Sequence, residues 1–243
     1  TSSIMLGDNA TGTIDAANFN TGVGVDVFAA LTSADGNTAV GYQALDANTT
    51  GAENVAIGKS ALSANTTAMQ NVAVGTESLQ DNTTGTNNVA LGTGSLKENT
   101  TASNNTAVGN FALRQTTTGA NNTAVGKNAL LADTLGSTAV AIGYQALTTQ
   151  NFTSSTDSYN VAVGYNSGES STTGTNNTFI GGLAGDSCAD GDHNTIVGFN
   201  SDLTSNGTSQ VIVLGSQVTS QAANNFTFGF GSTAVSYTHL TLP

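Results

Sequence analysis

One glycine constrains this chain more than any other feature. It recurs at Gly7, Gly24, Gly41, Gly58, Gly75, Gly92, Gly109, Gly126 and Gly143 in steps of 17 residues. The next step, to Gly164, is 21 residues, a four-residue insertion; Gly181, Gly198 and Gly215 resume the period, and Gly229 follows after 14. Helical repeats need about 30 residues or more to bury a face, so a period this short excludes them. It suits one coil of a parallel solenoid with two or three short strands, neighbouring coils lying about 4.8 Å apart. The expected fold class is all-β, a parallel β-solenoid (β-roll or β-helix) of about fourteen 17-residue coils. Residues 1–235 form the repeat domain and residues 236–243 a tail outside the pattern.

The columns of this repeat read as a strand followed by a corner. Two clear copies are NVAIGKSALSANTTAMQ from Asn54 and NVAVGTESLQDNTTGTN from Asn71. The residue before the glycine is apolar in every copy, as in Val40, Ile57, Val74, Leu91 and Phe228. Three before it stand Val, Thr, Ile or Phe226, and two before it Ala is commonest, as in Ala56 and Ala73. Four before it stands Asn in most copies, including Asn37, Asn54, Asn71, Asn88 and Asn105. Side chains two apart share a strand face. One face therefore carries the Val/Thr and Val/Ile/Leu columns, the other Asn, Ala and Gly. The Val/Ile column suits a core, and on that reading Ile57→Asp or Val74→Asp prevents folding. The Asn, Ala and Gly face is small and nearly uncharged, which permits close approach of another sheet. The alternation alone does not say which face turns outward. Stacked coils place the Asn residues above one another as an amide ladder.

A second segment places Leu four residues after the glycine, at Leu45, Leu62, Leu79, Leu96, Leu113, Leu130 and Leu147, each preceded by a small residue. Runs such as Asn48-Thr49-Thr50-Gly51 then read as turns, where Asn and Gly tolerate left-handed backbone.

Composition narrows the function. Only 8% of residues are charged and the net charge is −12, with four basic residues, Lys59, Lys97, Arg114 and Lys127. These are scattered, whereas nucleic-acid phosphates and anionic membrane surfaces call for clustered cations, so neither is an expected partner. No stretch approaches the length of an apolar membrane span. The single cysteine, Cys188, excludes an intrachain disulfide. Catalysis needs titratable groups brought together. There are two histidines, His193 and His239, and no supported Ser-His-Asp or Cys-His set, so no enzyme and no cofactor is expected.

Three features could carry binding. The position after the glycine varies and holds Tyr42, Lys59, Lys127, Tyr144, Tyr165 and Phe199; the lysines imply solvent and hence a broken, exposed aromatic column. Rigidly held aromatics suit sugar or protein recognition, and packing against neighbouring coils or chains is the bland alternative. The insertion between Gly143 and Gly164 adds Phe152, expected to join Tyr144 and Tyr165 in one contact patch, since solenoids place insertions on loops. Asp186, Asp190 and Asp192, near Cys188 and His193, are weak calcium candidates: the segment resembles a single imperfect copy of a glycine-rich calcium repeat.

The pattern N-[VT]-A-[VI]-G-x-x-[AS]-L, carried by Asn54 to Leu62 and its copies, resembles the head repeats of trimeric autotransporter adhesins, and the longer unit with NTTG resembles repeats of phage tail fibres. The resemblance covers roughly residues 1–235. It implies a homotrimer of parallel solenoids, an extracellular place on a cell surface or virion, and attachment to a cell-surface glycan or protein receptor. The tail Ser236-Tyr237-Thr238-His239-Leu240-Thr241-Leu242-Pro243 resembles a translated sequencing-adapter sequence and is expected to carry no function. An ice-binding or other surface-binding solenoid is the alternative, although the adjacent pairs Thr49-Thr50 and Thr66-Thr67 do not write a flat T-x-T array.

Overall fold

In a computed structural model the chain is all-β, and the structure describes residues 3–7, 17–220 and 222–237. It divides into two compact units, up to Asn122 and from Thr123 onward. In the first, the strands Ile4–Leu6, Thr21–Val23, Thr38–Val40, Val55–Ile57, Val72–Val74, Val89–Leu91 and Thr106–Val108 stack in parallel in chain order. In the second, the series runs Thr123–Val125, Val140–Ile142, Val161–Val163, Thr178–Ile180, Thr195–Val197, Ile212–Ser216 and Phe226–Phe230. The antiparallel strand Val235–Tyr237 closes the second series, so Ser236 and Tyr237 of the tail belong to an end strand. The remainder of the tail lies outside the described residues.

The register is that of the repeat: Val55 pairs with Val72, Ala56 with Ala73 and Ile57 with Val74. Glycine stacks on glycine for a steric reason. Gly41 has φ +135°, a conformation open to glycine alone, and a Cβ there would stand 2.5 Å from the carbonyl oxygen of Gly58.

The sheet's inward face is the opposite of the one its apolarity suggests. Ala39, Ala56, Ala73 and Ala90 are fully buried, whereas Ile57 is 40% exposed and Val40, Leu91, Ile142 and Ile180 are likewise exposed. The lumen of a 17-residue coil is too narrow for two rows of branched side chains. It takes one Ala from the strand, an Ala or Ser and a Leu from the second segment, and the two Asn columns at its corners. The expectation that Ile57 and Val74 form the core is thereby corrected.

The leucines show what this narrowness demands. Leu62 has φ +51° and Leu79 φ +48°, left-handed backbone that costs a non-glycine residue about 1–2 kcal/mol. Burial of a Leu side chain stabilises by about 1.5–3 kcal/mol, which offsets that strain. The left-handed corners thus fall at Ser60, Leu62 and Gln70 of one coil, not at the Asn and Gly of the NTTG-type turn.

Both asparagine columns are buried. The backbone N–H of Asn71 donates to Oδ1 of Asn54 at 3.0 Å, hooking one coil to the next. Nδ2 of Asn54 donates to the carbonyl of Ala68 at 2.9 Å, closing its own coil. The turn residues form a second ladder, in which Nδ2 of Asn65 donates to Oδ1 of Asn48 at 3.0 Å and Asn82 repeats the contact onto Asn65. Buried amides cost little when satisfied this fully.

Candidate binding surface

Two outward features of the coil wall could meet a partner. The first is the sheet face itself. In each unit the residues one and three before the glycine point outward, giving a column of Val, Ile, Leu and Phe228 beside one of Val, Ile, Thr and Phe226, neither with a charge. Seven coils at about 4.8 Å and a width near 10 Å make this on the order of 300 Å² per unit. That is as large as the biggest apolar patch of a typical monomer.

The second is the column after the glycine. Tyr42, Tyr144, Tyr165 and Phe199 are all exposed, Tyr165 by 57%. The rings of Tyr144 and Tyr165 stack, with centroids 5.4 Å apart and planes 8° apart. They are 21 residues apart in the chain, yet adjacent in space, because Val140–Ile142 pairs in register with Val161–Val163. The inserted residues bulge on a later side of the coil, where Thr156–Asp157 pairs in parallel with Gly136–Ser137.

Phe152 does not join that patch. It is 5% exposed and packs inside, a correction to its placement among surface aromatics. Tyr159, at the end of the insertion, is an exposed aromatic that sequence reasoning passed over, as is Phe19. Its signal was positional, for it occupies the left-handed corner that Gln70 and Asn87 hold in other coils.

A break in the first ladder, where Ala139 stands in place of Asn, is bridged from the second column. Gln150 reaches between the two columns: its Nε2 donates to Asp133 at 2.7 Å and its Oε1 accepts from Asn160 Nδ2 at 2.8 Å. Burial pushes the Asp133 carboxyl above the usual carboxylate range, opposed by the donors of Gln150 and Gly136.

The three calcium candidates do not converge. Asp192 accepts from the backbone N–H and hydroxyl of Thr175, Asp190 is exposed, and Asp186 faces Asp202 instead. Among the described residues no group of three or more His, Cys, Asp or Glu could hold a metal ion. Burial, then the neighbouring Asp202, pushes Asp186 up to about 6. The Asp186–Asp202 pairing was invisible in the repeat, because Asp202 stands where earlier coils carry Leu. Cys188 sits in the second Asn column, and burial pushes its thiol up to about 11, an inert packing residue at neutral pH.

The threonines after the second asparagine are partly committed. Oγ1 of Thr49 and of Thr83 donate to carbonyls of the next coil at 3.0 Å. Exposed hydroxyls remain in a single file, at Thr50, Thr67, Thr84 and Thr101. Among the described residues no helix is long and apolar enough to cross a membrane.

No family model matches the sequence, and neither a curated protein nor a solved structure matches it.

Proposed function

We propose that the chain is a structural shaft of an extracellular fibre or adhesin, assembled as a homotrimer and mediating attachment to a cell or host surface. The observation that carries this reading is the outward Val/Ile/Thr sheet face, an uncharged apolar strip repeated coil after coil. Leaving such a strip in water is unfavourable, at roughly 25 cal/mol per Å². A second copy covers it well, because identical chains share the 17-residue pitch and their columns match step for step. The net charge of −12 resides elsewhere on the coil and does not enter this contact. The resemblance of the NxAVG repeat to adhesin heads and tail fibres supports three as the copy number and a cell surface or virion as the location. The aromatic column supports recognition of a surface glycan or protein.

Native mass spectrometry of the intact 24.2 kDa chain tests the stoichiometry. A dominant species of three chain masses at micromolar concentration supports the reading; a monomer throughout sinks it.

A further inference from the structure

In the second unit the column after the glycine includes Tyr144, Tyr165, Gly182 and Phe199. Parallel pairing sets successive members one coil apart, about 4.8 Å. Tyr144 covers one face of the Tyr165 ring. At the next step Gly182 supplies no side chain. Phe199 comes two steps beyond Tyr165, roughly 9–10 Å on. Phe199 leans over the vacancy, its Cδ2 3.6 Å from where a Cβ on Gly182 would stand. Two exposed aromatic residues, Tyr165 and Phe199, thus stand two coils apart on either side of a residue without a side chain. A ring touching both needs about 7–8 Å, two carbon contacts of 3.5–4.0 Å.

We propose that Tyr165, Gly182 and Phe199 form a binding slot for one neutral pyranose ring, with its C–H face against Tyr165. This rests on the surface-attachment reading above, but not on the trimer. The surroundings select the occupant. Glu169 accepts from Asn166 Nδ2 at 2.5 Å, one residue from Tyr165, and Asp186 and Asp202 lie in the next coils. None of the four cations lies in these coils. Anionic sugars and phosphates are repelled here. The rim is wet and polar, with Asn200 exposed beside Phe199, which suits hydroxyls better than an aliphatic ligand.

The glycine itself provides the test. Gly182 does not require left-handed backbone, and its missing Cβ would meet nothing closer than 3.6 Å. Other coils carry Lys, Thr or Tyr at this position, so Gly182→Tyr fills the slot without straining the coil. Saturation-transfer NMR on the intact chain would use the methyl pyranosides of glucose, galactose and N-acetylglucosamine, with that of N-acetylneuraminic acid as the anionic comparison. At least one neutral glycoside is expected to bind with Kd on the order of 1 mM, its contacts concentrated on one ring face. Gly182→Tyr and Tyr165→Ser each weaken it about tenfold or more, Thr76→Ala leaves it unchanged, and the neuraminide gives no transfer. If Gly182→Tyr fails to fold, Tyr165→Ser and Phe199→Ser decide alone. The slot is overturned if no neutral glycoside binds, or if binding survives the folded slot variants. It is equally overturned if those variants change only the mass of the assembly, which gives the slot to a ring of a neighbouring copy. Absence of sugar binding leaves the measured stoichiometry, and with it the shaft reading, untouched.

Discussion

Phe179 occupies the space that Gly185 leaves empty. Phe179 stands where eight other coils carry Ala, and Gly185 and Gly168 stand where seven carry Leu. A Cβ on Gly168 would lie 2.6 Å from the Phe179 ring, and one on Gly185 would also strike it. The coil conserves lumen volume by trading Ala plus Leu for Phe plus Gly, and Gly22 with Phe28 repeats the exchange from the other side. Phe179→Ala alone is expected to cost about 3–5 kcal/mol in denaturant unfolding. Adding Gly185→Leu, at φ +63°, close to that of the native leucines, should recover a substantial part. A double variant no more stable than the single one would show that the two do not share one volume.

The glycine column should be far less tolerant than its neighbours. At Gly75, φ is +135° and a Cβ would stand 2.6 Å from the carbonyl of Gly92. Gly75→Ala is expected to lower the thermal midpoint sharply or prevent folding, while Thr76→Ala, one residue on, stays within about 0.5 kcal/mol of the parent. Equal midpoints for the two would refute the stacking constraint.

The Asp186–Asp202 pair gives stability a pH dependence. The Asp186 carboxyl is raised to about 6 from an ordinary 3.8, so between those values the folded chain binds more protons than the unfolded one. Stability from this group is complete below about pH 4 and is lost as pH rises through about 6. Denaturant midpoints should thus fall from pH 5 to pH 7.5 in the parent and fall less in Asp186→Asn. A parent and variant with identical pH profiles would remove the pair from the account.

Much of this was legible in the sequence. The period dictated the coil, the glycine column its register, and the Asn column its ladder, because each position recurs in the same surroundings. Lys59 and Lys127 marked the solvent column correctly. What misled was the amplitude of hydrophobicity. Val55 and Ile57 read as core by their apolarity, yet the lumen's width, which no single residue encodes, admits only Ala56 between them. The same limit hid the second ladder, since Asn48 in a turn-like run looks exposed until the coil closes around it. Phe152 was misplaced because a four-residue insertion resembles an exposed loop, whereas that ring is buried at 5% exposure.

The central claim is that the outward sheet face is an assembly surface and not a core. Sedimentation equilibrium of the parent beside an Ile57→Asp/Ile142→Asp variant tests it most directly. Both side chains are exposed, so the variant should keep the β-rich circular dichroism of the parent and its cooperative unfolding. The parent is predicted to sediment as three chains, and the variant, with charges set into the apolar strip, as one. A parent that is monomeric at every concentration, or a variant that associates as well as the parent, would contradict the account.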